Sequence, residues 1–79
     1  MWYAVLRREF KDVRAGSIYA VKKYDNHQII CIPVEGASAV RTGRLTLTVE
    51  MCRTLFTRPT RDFNDAVEES FVQCEANYC

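Results

Sequence analysis

No lysine or arginine follows Arg61, so residues 62–79 carry acids alone. All 11 basic residues lie in residues 1–61, against Glu9, Asp12, Asp25, Glu35 and Glu50. The other five acids are Asp62, Asp65, Glu68, Glu69 and Glu75. A net charge of +1 therefore conceals a basic body and an acidic tail. Association is steered by local fields rather than by net charge, which makes this separation the main functional signal in the chain.

Other absences narrow the class. No apolar run approaches the roughly 20 residues of a membrane-spanning helix. The apolar start, residues 1–6, is too short for a secretory leader, and Arg7, Arg8 and Glu9 follow at once. The expectation is a cytoplasmic protein with reduced thiols and no membrane partner. The four cysteines, Cys31, Cys52, Cys74 and Cys79, allow three pairings into two disulfides. They form no C-x-x-C, their spacings fit no common zinc module, and His27 is the single histidine. No metal or cofactor is expected. Cys31, Cys52 and Cys74 read as small core residues and Cys79 as a frayed terminal thiol. There is no internal repeat and no low-complexity segment.

What remains is an ordinary globule, 48% hydrophobic and 27% charged. Its 79 residues make one domain, 1–79, with a modest core and little area for a deep substrate pocket. Residues 2–6, rich in aromatic and branched side chains, read as a first strand, and residues 12–16 as a break with Gly16 in a turn. Residues 17–24 and 28–34 form a hairpin around Asp25-Asn26-His27, where Asp and Asn tolerate the left-handed turn conformation. The second arm is apolar on both faces from Ile29 to Ile32, which places it centrally, and Pro33 ends its pairing. Residues 36–43 read as a loop. From Arg44 to Thr48 apolar and polar residues alternate as in a strand. A short helix follows to about Phe56, capped by Thr48 and stopped by Pro59. Phe63, Val67, Phe71, Cys74 and Tyr78 then recur at helical spacing, with Asp62 or Asn64 as cap; Val72, Cys74, Ala76 and Tyr78 also alternate as in a strand, but the helix explains the longer span.

This order predicts an α+β fold: a small antiparallel sheet of about four strands, one short helix and one C-terminal helix. The strand-rich centre and Gly-led second strand of residues 1–56 resemble an SH3-type barrel, which implies a curled sheet as the alternative.

Catalysis has no candidate residues. Asp25 and His27 are explained by turn chemistry, and no nucleophile stands beside them by spacing. Glu68 and Glu69, adjacent on a helix, diverge by about 100 degrees and cannot act as a pair. Binding is the better expectation. Basic residues cluster at Arg7, Arg8, Lys11 and Arg14, at Lys22 and Lys23, at Arg41 and Arg44, and at Arg53, Arg58 and Arg61. On one face, beside Trp2, Tyr3, Tyr19 or Tyr24, they would serve single-stranded nucleic acid or a transcription regulator. The five tail acids oppose that reading, so contact with another protein comes first. Lys22, Lys23, Arg41 and Arg44 are the candidates for an acidic partner, and Asp65, Glu68 and Glu69 for a basic one. Phe71 and Tyr78 are expected to pack inward. Complementary poles also suit a homodimer, head-to-tail or two-fold.

In length, lack of motif and compact sheet, the chain resembles the small single-domain proteins that bacteriophages make early in infection. That resemblance implies a non-enzymatic inhibitor that occludes a functional surface of a host protein or defence complex.

Overall fold

The computed structural model describes residues 1–34 and 44–78. The elements are β1 (Trp2–Val5), β2 (Ile18–Lys23), β3 (Gln28–Pro33), β4 (Leu45–Thr48), α1 (Val49–Leu55) and α2 (Phe63–Tyr78). The four strands form an antiparallel sheet in the order β1-β2-β3-β4, so the α+β expectation holds. The sheet stays open, and the closed barrel is not formed. The chain nevertheless returns to β1 after α1. Arg7 N donates to Leu55 O (2.7 Å), Thr57 N to Val5 O (2.8 Å) and Tyr3 N to Thr60 O (2.7 Å). Residues 55–60 thereby cover the outer edge of β1, which would otherwise invite pairing with another chain.

Alternation along the strands assigns two faces. Ala4, Tyr19, Cys31, Leu45 and Leu47 point to one side, where they form a cluster with Leu6, Val13, Leu55 and Phe56. Tyr19 is fully buried there and meets Phe56 edge-on at 5.4 Å. Val5 and Ile18 point to the other side and bury against Ala66 of α2, with Tyr3, Val34 and Val67 around them. The sheet is thus covered by α1 on one face and by α2 over β1 and β2 on the other. β3 has a neighbour on each side, as its apolar run predicts, and its pairing ends at Pro33 opposite Tyr19. Its second face is less covered than expected: Ile32 is 47% exposed, because α2 lies over β1 and β2 rather than over β3.

Turn chemistry differs from expectation at two places. In the β2–β3 turn the Asp25 carboxylate accepts from His27 N (2.7 Å) and Gln28 N (2.9 Å). The side chain closes the turn, without a left-handed backbone at Asp25 or Asn26. The left-handed pair among the described residues is Lys11 (φ 49°) and Asp12 (φ 66°), between Phe10 and Val13, which exchange both backbone hydrogen bonds. That is the two-residue hairpin turn preferred by twisted strands. The 36–43 loop falls outside the described residues.

Both helices begin as their sequences dictate. Thr48 is extended and its Oγ1 accepts from Met51 N (3.2 Å), capping α1. Asp62 Oδ1 accepts from Asn64 N (2.8 Å) at the start of α2. The apolar stripe of α2 divides: Val67 and Cys74 turn toward the body, but its large rings are not buried. Phe71 is 67% exposed, and Phe63 and Tyr78 are also exposed. The face against the sheet is Ala66, Ser70 and Cys74. Ser70 Oγ donates to Gly16 O and Cys74 Sγ to Ala15 O (3.6 Å). Small residues serve here because the helix crosses close to the backbone at Gly16. A Cβ at Gly16 would overlap Cys74 Sγ and lie 3.0 Å from Ser70 O. Inward packing of Phe71 is therefore corrected. Tyr78 is exposed too, although its hydroxyl accepts from Ala15 N (2.9 Å).

Candidate functional site

Two surfaces of opposite character emerge. The first is the outer side of α2. Helical spacing of i, i+3, i+4 and i+7 puts Glu68, Phe71, Val72 and Glu75 on neighbouring outward positions. All four are exposed, Val72 by 54%. Two apolar side chains thus sit between two carboxylates, one helical turn apart, on a helix with no basic residue in its last turn. Asp65 is exposed one turn before Glu68. Glu69 departs from this group. It is half-buried on the flank of the helix and accepts from Gln73 Nε2 (2.9 Å). The three acids named from sequence therefore divide: Asp65 and Glu68 share the solvent side, whereas Glu69 turns toward a cavity.

That cavity, about 700 Å³, is the second surface. Ala4, Val21, Ile29 and Phe56 give it an apolar floor, and Arg7, Arg53 and Arg58 stand on its walls beside Cys52. The three arginines come from three elements. Arg7 follows β1, Arg53 lies on α1, and Arg58 lies in the 55–60 strip that pairs with β1. Their convergence depends on that long-range pairing. Sequence reasoning put Arg7 in one cluster and Arg53 with Arg58 in another; Pro59 as a helix stop was the one signal that the chain turns back here.

Lys22 and Lys23 sit at the end of β2, exposed, and line an adjoining cavity of about 400 Å³ with Trp2 and Arg58. Arg44 is exposed just before β4, at the end of the sheet away from the β2–β3 turn. The structure therefore does not bring Arg44 beside Lys22 and Lys23. Arg41 lies outside the described residues. Several other bases are engaged by the protein's own rings: Arg61 stacks over Trp2 and Arg14 over Tyr78, each at 4.6 Å, and Lys11 over Phe10 at 5.5 Å. Among the described residues no ion pair ties the tail acids to the body, and Asp62 and Glu69 contact their own helix. The two polarities meet where Glu69 lines the cavity that Arg7, Arg53 and Arg58 wall.

Cys31 is buried in the core, and Cys52 packs against the same cluster from α1. Both thiols are free. A hydrogen bond shared with Cys52, reinforced by burial, pushes the Cys31 thiol far up. The same hydrogen bond, with Cys31 as donor, lowers Cys52, and burial opposes that shift. Among the described residues no group of three or more His, Cys, Asp or Glu side chains is arranged to hold a metal. Among the described residues no helix is long and apolar enough to cross a membrane.

No family model matches the chain, and no curated protein or solved structure matches it.

Proposed function

We propose that the chain is a non-enzymatic binding module that occludes a surface of another protein through the outer side of α2. One observation carries this reading. Phe71 and Val72 are exposed between Glu68 and Glu75 on a helix already anchored by its opposite side. Exposed apolar side chains with a charged border are the anatomy of a contact patch, an apolar centre inside a polar rim. The complementary partner is an apolar groove edged with Lys or Arg, entered helix-first. A standard interface takes about 800 Å² from each side. This chain has 5509 Å² of surface, so one face suffices. The anchored helix needs no ordering on binding, which lowers the entropic cost of association.

The reading extends to the setting inferred above, a phage-encoded inhibitor acting in the cytoplasm on a host protein or defence complex. It also admits a homodimer, since a basic cavity and an acidic helix on one chain are mutually attractive.

Parallel affinity captures from a lysate of the native source test the reading. The wild-type chain should retain a protein that a Phe71→Asp, Val72→Asp chain loses, with both chains equally folded by circular dichroism. Equal retention by the two chains, or none by either, contradicts it.

A second reading rests on the arginine-walled cavity and the neighbouring Trp2, Lys22 and Lys23: a surface for single-stranded nucleic acid or a transcription regulator. It ranks second because Arg61 already covers the Trp2 ring.

A further inference from the structure

We infer that Cys31 and Cys52 form an oxidisable dithiol, with Cys52 the group attacked by peroxide and Cys31 the group that closes the disulfide. Two features of the fold support this. First, the two residues come from facing elements: Cys31 points into the core from β3, and Cys52 packs on that core from α1. Second, their access differs. Cys31 is fully buried, whereas Cys52 also lines the 700 Å³ cavity and is reachable by a small oxidant. The hydrogen bond between them lowers Cys52 against the opposing effect of burial and leaves Cys31 protonated as the donor. Cys74 has no such arrangement: its Sγ donates to Ala15 O under the Gly16 crossing.

The chemistry closes with hydrogen peroxide as the oxidant. The Cys52 thiolate attacks one peroxide oxygen. An S–O bond forms, the O–O bond breaks and hydroxide leaves, so sulfur is oxidised to the sulfenic acid and peroxide is reduced. The Cys31 sulfur then attacks the Cys52 sulfur. The S–S bond forms, the S–O bond breaks, and the departing oxygen leaves as water with the Cys31 proton. The product ties β3 to α1 across the segment that includes β4.

Isotope-coded alkylation of the full wild-type chain during a hydrogen peroxide titration tests the inference without any substitution. Free thiol should disappear from Cys31 and Cys52 together, about tenfold faster than from Cys74. Unreduced peptide mapping should then show the two residues linked. Loss of Cys52 no faster than Cys74, or loss of Cys52 with Cys31 remaining free, overturns the inference. In a Cys31→Ser chain the sulfenic acid at Cys52 should persist and be trapped by dimedone; a failure to trap it in a folded chain also counts against the assignment.

Discussion

At the scale of single residues, the fold rests on a few positions where one atom decides. Thr48 ends a strand and starts a helix with one hydroxyl, which accepts from Met51 N. Thr48→Ala should cost about 1 kcal/mol, read as a lower urea midpoint with an unchanged slope. Gly16 combines φ 92° with the close approach of Ser70 and Cys74. Gly16→Ala meets both a left-handed backbone and an occupied space, and should cost on the order of 1–3 kcal/mol in the same assay. An unchanged midpoint would mean that α2 does not cross the backbone there. Thr48 was legible from sequence, because a capping residue stands where the period changes from two to helical. Gly16 was legible as a turn but not as a crossing point, since its constraint comes from α2, more than fifty positions away.

At the scale of elements, local patterning located the strands and helices but assigned the inward side of α2 only in part. The alternation from Arg44 to Thr48 and the apolar arm from Ile29 gave β4 and β3 nearly to the residue. In α2 the predicted stripe holds for Val67 and Cys74, whereas Phe71 lies outside and the inward side is completed by Ala66 and Ser70. Periodicity reports which residues share a side, not how close the neighbouring backbone comes. Close approach selects small residues and leaves Phe71 outside. The two sides of α2 should therefore respond oppositely to substitution. Phe71→Ala should change stability by no more than about 0.5 kcal/mol. Ala66→Leu, forced between Val5 and Ile18, should destabilise by about 1–3 kcal/mol. Thermal denaturation of the two variants distinguishes the faces, and the reverse ranking would restore the stripe as the core.

At the scale of the whole molecule, the proposed function turns on how charge is distributed: most α2 acids face solvent, and Glu69 alone of the three acids named from sequence lines the arginine cavity. Sequence alone revealed the polarity of the tail, because that is a count along the chain. It could not reveal the cavity, because Arg7, Arg53 and Arg58 meet only when residues 55–60 return to β1. The acids on α2 should hold nucleic acid off this basic surface. In fluorescence anisotropy at physiological salt, the full chain should show no micromolar affinity for a single-stranded oligonucleotide. Glu68→Gln, Glu69→Gln and Glu75→Gln together should raise affinity in a salt-sensitive manner. Neutralisation is a cleaner test than deletion of residues 62–79, which would uncover Val5 and Ile18. Tight, salt-sensitive binding by the unaltered chain would favour the nucleic-acid reading.

The most direct test of the α2 surface is site-specific photo-cross-linking in the native cells. A benzophenone amino acid is placed in turn at Phe71, Val72, Lys22 and Arg53. The account predicts a discrete protein adduct from positions 71 and 72 and none from 22 or 53. Adducts from positions 22 and 53, with 71 and 72 silent, would contradict it.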